Sequence, residues 1–229
     1  MTGSPLLNAF HQSNAALLTY TVGGDPNKET SLEIFREIAQ SGADIIECGL
    51  GHGANIGDGG AIQDGTYRAL SNGIKTDDVF DIIKTLRDEF DTNVIIMTYQ
   101  NKIMSYGEDS FLSKCVESKV AGIICVDWPW PLNLNFAAKC KNNNINFIQL
   151  LCPTTNEERL KLILNDAHDV VYYISMLSTT GQKLKVSPSE IKDRFNLIKT
   201  IAPEKKCIIG FGITEETIAD FKDTDACVV

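Results

Sequence analysis

Short apolar runs alternate with longer amphipathic stretches along the chain, and polar turn residues separate the two. Eight of the runs have the length and apolar character of buried strands. They cover residues 15–22, 44–48, 93–98, 123–126, 147–151, 170–174, 207–211 and 226–229. Strands that alternate with helices are typical of a parallel sheet whose faces are covered by helices. The pattern therefore predicts an α/β protein built from repeated strand–helix units.

Two of the intervening helices have sequence signals that fix their positions. Residues 76–90 carry one apolar stripe, and two aspartates lie at the positive end of that predicted helix. A helix is also predicted at 187–201, where Ser187, Pro188 and Glu190 form a capping box with proline at the first helical position. We expect the seventh helix of the series at 214–221.

The number of strand candidates decides between two architectures. Eight strands without a linker or a change in composition fit one (β/α)8 TIM barrel over residues 1–229 better than an open doubly wound sheet of five or six strands. No helical segment follows the eighth run, so we expect a barrel domain that is truncated at its C-terminus. Active sites of such barrels lie at the C-terminal ends of the strands, and we look for chemistry there.

Composition narrows the class of partner. The net charge of −9 is spread along the chain, which argues against nucleic acid or an anionic membrane and favours a small molecule or another protein. No apolar stretch approaches the ~18 residues of a membrane span. The seven cysteines form no CxxC pair, which indicates reduced thiols in a cytoplasmic protein. The three histidines have no metal-ligand spacing, so we predict no metal.

The most informative stretch is 43–63, where Glu47 interrupts a buried strand and Asp58 follows in a glycine-rich connection. A buried carboxylate is costly unless it is paired, hydrogen-bonded or functional. Glycine leaves the backbone free to bring Asp58 towards Glu47, and two facing acids are typical of acid–base catalysis. The alternative is that Glu47 forms a salt bridge at the strand end and Asp58 only makes a turn.

Three further features lie near predicted strand ends. Backbone N–H groups of the GFGIT segment at 210–214 could bind an anion, or the segment could be a tight turn. The polar loop at 178–183 could close over a ligand, or it could be an ordinary surface loop. Aromatic side chains near four strand ends could line an apolar pocket or pack in the barrel core, namely Tyr20, Tyr99, Tyr172 and Phe211.

Together these segments resemble the tryptophan synthase alpha chain family. The motifs LTYTVGGDP, ADIIECG, GDGGAIQ, YQN, VDWP, STTG and IIGFGI occur in the family's order along nearly the whole chain. The resemblance implies a TIM barrel and a carbon–carbon lyase of tryptophan biosynthesis that cleaves indole-3-glycerol phosphate to indole and glyceraldehyde 3-phosphate. It also implies that no cofactor is needed and that a beta chain completes an alpha2-beta2 heterotetramer.

The resemblance also assigns roles to individual residues. Glu47 matches the catalytic acid/base, and Asp58 matches the second catalytic carboxylate. The remaining matches are substrate-binding positions: an indole pocket of Tyr20, Tyr99, Ile124, Val126, Leu151 and Tyr172, phosphate-site residues Gly181, Phe211 and Gly212, and the loop residue Thr180.

The sequence departs from the family pattern after the catalytic glutamate. The family usually carries a GxPFSDP-like stretch there, whereas this chain reads GLGHGAN, with Gly51, Ala54 and Asn55 at the positions of the prolines and an aspartate. The Gly-Ser turn expected after the eighth strand is also missing. Two alternatives therefore stay open: a non-catalytic regulatory or scaffold barrel, and a related phosphate-binding barrel lyase.

Overall fold

The computed structural model describes residues 4–11, 14–175, 187–210, 213–214 and 217–229. Its strands are β1 (Ala16–Val22), β2 (Ile45–Gly49), β3 (Asn93–Thr98), β4 (Gly122–Cys125), β5 (Asn146–Phe147), β6 (Gln149–Leu151), β7 (Val170–Ile174), β8 (Lys206–Gly210) and β9 (Ala226–Val228). Its α-helices are α1 (Lys28–Gln40), α2 (Gly60–Ser71), α3 (Thr76–Glu89), α4 (Gln100–Tyr106), α5 (Glu108–Glu117), α6 (Leu134–Asn142), α7 (Glu157–Asp166) and α8 (Pro188–Ile201). Short 3-10 helices occupy Pro5–Ala9 and Ile218–Phe221.

All strand pairs are parallel, and the sheet is a nearly closed barrel. The strand order is β5-β4-β3-β2-β1-β9-β8-β7-β6, so β5 and β6 stand at opposite ends of the order. The two strands are consecutive in the chain and are separated by Ile148 alone, whose N–H donates to the carbonyl of Ile123 at 2.9 Å. One interrupted strand thus joins the ends of the sheet, which confirms the predicted barrel.

Three hydrophobic clusters divide the core. The inner cluster fills the barrel with strand side chains, and Leu6 and Ala9 of the first 3-10 helix pack against its N-terminal part. A second cluster lies outside β2–β5, beneath α1, α3, α5 and α6. A third lies outside β6–β9, beneath α7 and α8. The side chains of the inner cluster therefore lie directly below the candidate site.

The predicted helices at 76–90 and 187–201 are confirmed as α3 and α8. Ser187 Oγ accepts from the N–H of Glu190 at 3.3 Å, and Glu190 Oε2 accepts from the N–H of Ser187 at 3.0 Å, so the capping box is present. Where a helix was expected at 214–221, the described residues form only the 3-10 helix Ile218–Phe221.

The sequence pattern missed α2, which begins at Gly60, the last residue of the predicted GDGG turn. The buried residues of α2 are Gly65, Thr66 and Ala69, all of them small, so the helix has no large apolar stripe. A Cβ on Gly65 would lie 2.9 Å from Asp25 Oδ2, which shows how closely this helix approaches the end of β1. Close packing through small residues leaves no strong helical periodicity to detect.

Candidate active site

Glu47 is the third residue of β2 and points into the barrel. It stands between Tyr20 of β1 and Ile95 of β3 in the strand register. The side chain is 4% exposed, and no described residue forms an ion pair with it or a hydrogen bond with its Oε2. Burial, with a smaller contribution from the charge of Asp58, raises the pKa of Glu47 to about 8. The described surroundings thus favour the protonated acid at neutral pH and give no support to a strand-end salt bridge.

Asp58 lies in the connection between β2 and α2, one residue before the N-cap Gly59. It is 3% exposed, so it is not a solvated turn residue. Its N–H donates to the carbonyl of Asn55 at 3.1 Å, and its carbonyl accepts from Gln63 Nε2 at 2.9 Å. Burial raises the pKa of Asp58, whereas the neighbouring side chains of Asn55 and Tyr99 and the charge of His52 oppose that rise. Asp58 therefore has neighbours that favour its ionised form, unlike Glu47.

Tyr99 follows β3 and contacts this connection from the side. Its hydroxyl accepts from the N–H of Gly57 at 3.1 Å, and burial together with the charge of Asp58 raises the pKa of its phenol. A Cβ on Gly57 would lie 3.4 Å from that hydroxyl and 3.1 Å from Val126 Cγ1. Glycine at position 57 thus permits a close approach, and its φ is not positive.

Two further tyrosines face the acids from the barrel wall. Burial, followed by the charges of Asp58 and Glu47, raises the pKa of Tyr20, and burial followed by the charge of Glu47 raises that of Tyr172. A Cβ on Gly49 would overlap the Tyr20 hydroxyl, and a Cβ on Gly210 would overlap the Tyr172 ring. The two glycines at strand ends thus make room for the aromatic side chains across them.

The apolar wall agrees with the predicted pocket except at one position. Ile124 belongs to the inner cluster, and Val126 packs against it. Leu151 does not: it lies in the outer cluster with the side chains of α7 and α8, and its neighbour Leu150 packs against the inner cluster instead. The prediction for Leu151 is therefore wrong by one residue, because successive side chains of a strand point to opposite faces.

A separate cavity of about 320 Å³ adjoins this wall where β4 and β6 diverge. On the barrel side it is lined by Val126, Leu150 and Ile174. On its outer side, the buried amides of Asn133 and Gln149 bond to each other at 3.0 and 2.9 Å. The amide pair lies on the side of the barrel where no backbone hydrogen bonds join β4 to β6 among the described residues.

Other side chains with possible chemistry have structural partners. His11 contacts Asp44 at 2.7 Å, and His168 Nδ1 accepts from the N–H of Phe147 at 3.0 Å. All seven cysteines are free, and only Cys152 is partly exposed. Within the described ranges, no group of three or more His, Cys, Asp or Glu side chains could hold a metal ion, and no helix is long and apolar enough to cross a membrane.

The sequence matches a known family model over nearly its full length. The model for the tryptophan synthase alpha chain covers residues 6–229. The chain belongs to the tryptophan synthase alpha chain family. Its sequence is 52% identical over 219 residues to the tryptophan synthase alpha chain of Pelagibacter ubique (strain HTCC1062), and the match covers 95% of this chain and 82% of that relative.

Solved structures of the tryptophan synthase alpha family share the fold. A chain from the tryptophan synthase α2β2 complex of Pyrococcus furiosus is 31% identical with a TM-score of 0.83, and the match covers 95% of this chain and 88% of that chain. Tryptophan synthase subunit alpha from Legionella pneumophila str. Paris is 28% identical with a TM-score of 0.88, and the match covers 100% of this chain and 86% of that one.

The predicted phosphate-site residues and the loop threonine stay predictions. Thr180, Gly181, Phe211 and Gly212 lie outside the described residues. The described site therefore comprises the two acids, the three tyrosines and the apolar wall. His52 also belongs to it and was not singled out from the sequence. The available signal was an aromatic ring retained inside the otherwise altered GLGHGAN stretch.

Proposed function

We propose that this protein is the alpha subunit of tryptophan synthase, a carbon–carbon lyase of tryptophan biosynthesis. Its reaction would be the retro-aldol cleavage of indole-3-glycerol phosphate to indole and glyceraldehyde 3-phosphate. The observation that carries the proposal is a buried Glu47 without an ion-pair partner among the described residues, near a second buried acid, Asp58, inside a barrel of this family. Two acids in different environments are what a reaction with opposite proton transfers requires.

Glu47 is proposed to act first as an acid and then as a base. Because its pKa is about 8, most of the population carries a proton at neutral pH. It would give this proton to the ring carbon that bears the side chain, which places a positive charge on the ring N–H. Its carboxylate would then take the proton of the adjacent hydroxyl while the carbon–carbon bond breaks and its electron pair returns to the ring. The proton that is given is thus recovered, and no cofactor is needed.

Asp58 is proposed to stabilise the positive charge that develops on the ring nitrogen. A carboxylate fixed near that N–H lowers the energy of the intermediate more than that of the neutral substrate, which is the condition for catalysis. The side chains of Asn55 and Tyr99 and the charge of His52 support this role because they favour the ionised form of Asp58.

The indole ring is proposed to lie between the tyrosines and the apolar wall. Tyr20, Tyr99 and Tyr172 would contact its faces and edges, with Ile124 and Val126 below them. Leu150 replaces Leu151 in this role because it is the member of the pair on the barrel side. Thr180, Gly181, Phe211 and Gly212 remain the predicted phosphate and loop residues.

The proposed partner is a tryptophan synthase beta chain, which would accept the indole within an alpha2-beta2 assembly in the cytoplasm. This is supported by the similarity to a chain from the P. furiosus α2β2 complex. Size-exclusion chromatography with light scattering of the protein mixed with a beta chain tests it, and two separate peaks at micromolar concentrations would contradict it.

The activity is tested by incubating the purified protein with indole-3-glycerol phosphate and measuring indole by chromatography, with and without a beta chain. Glu47→Gln keeps the shape of the side chain but not its acid–base chemistry, and we expect turnover to fall by about 10²-fold or more. The matched control is Glu33→Gln, on the exposed face of α1, which should leave turnover unchanged. If the wild-type protein binds the substrate but forms no indole, the non-catalytic barrel is the better interpretation.

A further inference from the structure

The connection that carries Asp58 lacks the residues that usually stiffen it. Between Leu50 and Asp58 it contains three glycines and no proline. Its internal hydrogen bonds are short in range: the N–H of Ile56 donates to Ala54 at 3.0 Å, and that of Asp58 donates to Asn55 at 3.1 Å. Glycine increases the number of backbone conformations that must be excluded when Asp58 is held in place. A contact from outside the connection is therefore needed to limit its conformations.

Such a contact runs through Tyr99. Its hydroxyl accepts from the N–H of Gly57, the residue directly before Asp58, at 3.1 Å. Tyr99 is 2% exposed, and its carbonyl accepts from the N–H of Lys102 at the start of α4 at 3.0 Å, so the ring is fixed by the barrel rather than by the connection. One hydrogen bond to the hydroxyl of a buried tyrosine thus restrains the backbone beside Asp58 relative to the barrel strands.

His52 contacts the same tyrosine through its ring. Its ring lies on that of Tyr99, with centroids 5.3 Å apart and planes tilted by 36°. Aromatic pairs at this separation stabilise each other beyond the effect of the area they bury. No described residue forms a hydrogen bond with the imidazole, so its interactions within the described part of the chain are the ring contact with Tyr99 and the charge that it presents to Asp58.

We propose that His52 is a positioning residue for Asp58 that acts through the Tyr99 ring, an inference that rests on the proposed lyase activity. His52 and Asp58 are six positions apart on the same flexible connection, and each end of that segment meets Tyr99. His52 holds one end by ring contact, and Gly57 holds the other by its hydrogen bond. The tyrosine therefore clamps the segment at two points and replaces the stiffness that prolines would give.

The proposal makes separate predictions for activity and for local structure. His52→Ala removes the ring and should lower kcat about tenfold with a small change in KM, because a misplaced catalytic group mainly raises the barrier of the chemical step. His52→Phe keeps an aromatic ring but not the imidazole charge, and it should recover most of the kcat that His52→Ala loses. The control is His11→Ala, at the N-terminal end of the barrel beside Asp44, which should leave kcat unchanged.

The structural arm measures hydrogen exchange of the Gly57 amide by NMR. We expect faster exchange in His52→Ala and in Tyr99→Phe, which lacks the acceptor hydroxyl, and wild-type exchange in His52→Phe. Because the two contacts restrain the segment at different points, the double variant His52→Ala/Tyr99→Phe should exchange faster than either single variant.

The outcomes separate this proposal from the proposed function. If the wild type forms no indole, the lyase assignment fails, and the exchange of Gly57 still decides whether His52 restrains the connection. If the wild type is active and His52→Ala matches it in both kcat and Gly57 exchange, the positioning role is overturned. If His52→Phe is as defective as His52→Ala, the ring contact is not what matters, and this also overturns the proposal.

Discussion

The two acids of the site are held by different means. Glu47 sits inside β2 and is fixed by strands on both sides, from Tyr20 to Ile95. Asp58 sits in a glycine-rich connection and is fixed by a few side chains, among them Tyr99 and Gln63. The rigid strand holds an acid whose Oε2 has no partner among the described residues, and that costs stability. Burial also raises the pKa of Asp58, and its Oδ1 has no hydrogen-bond partner among the described residues, but the side chains of Asn55 and Tyr99 oppose part of that rise. The strand thus fixes the position of Glu47, whereas side chains around the connection act on the charge of Asp58.

The largest expected effect concerns the cost to folding stability of burying the Glu47 carboxyl group. Its folded-state pKa of about 8 lies above the ordinary range, so the folded protein binds a proton that the unfolded chain releases. Stability should therefore fall as pH rises from about 4.3 to about 8, by up to about 1.4 kcal/mol per pH unit, and level off above. Urea unfolding of the wild type and Glu47→Gln at pH 5 and pH 9 measures this. The variant should gain relative stability at pH 9, and an equal difference at both pH values would contradict the buried neutral acid.

The next effect concerns the charge of Asp58. Asp58→Asn keeps the shape and removes the negative charge, so we expect kcat to fall about 10²-fold, which corresponds to about 2.7 kcal/mol. Steady-state indole formation measures it. Asp64→Asn, on the exposed face of the adjoining α2, is the matched control and should behave as the wild type. Retention of more than half the activity by Asp58→Asn would remove Asp58 from the chemistry.

A third prediction compares a glycine at the end of a barrel strand with a glycine in the connection before Asp58. Gly210→Ala places a methyl group against the Tyr172 ring and should destabilise the fold by about 1–3 kcal/mol through overpacking. Gly53→Ala adds the same methyl group where no heavy atom of the described residues lies within 4 Å, and it should be close to neutral. Thermal melting of the two variants side by side provides the measurement. Equal melting temperatures would show that the strand end accommodates an added methyl group as easily as the connection does.

The smallest effect tests the hydrogen bond from the Gln63 side chain to the Asp58 carbonyl. Gln63→Ala should cost about 1 kcal/mol, expressed as a several-fold lower kcat because the backbone of Asp58 is less restrained. Gln40→Ala, at the exposed end of α1, is the control for the loss of a helical glutamine. A wild-type kcat for Gln63→Ala would show that the Tyr99 contact alone is enough.

The sequence predicted the frame better than the site. Buried strands and the Ser187 capping box have strong local signals, so the barrel and α8 could be predicted. The helix α2 could not, because small residues such as Gly65 and Ala69 pack it. Glu47 and Asp58 stood out in the sequence because an acid within an apolar strand and another in a glycine-rich connection are unusual, and both are buried. Leu151 was misplaced because alternation along a strand depends on its register, and β5 and β6 are interrupted at Ile148. His52 depends on a ring contact with Tyr99, from another strand unit, which a local pattern does not contain.

The interruption at Ile148 also divides the molecule in a way that bears on the site. β1–β5 and β6–β9 form two half-barrels, each with its own outer hydrophobic cluster, and a cavity remains between them on the side where β4 and β6 diverge. Glu47 and Asp58 belong to the first half, whereas Tyr172 belongs to the second. The two halves are joined by the pairing of β1 with β9 and by the inner cluster, to which both contribute side chains. The width of the cleft between the acids and the opposite wall is therefore set by contacts that the two halves share.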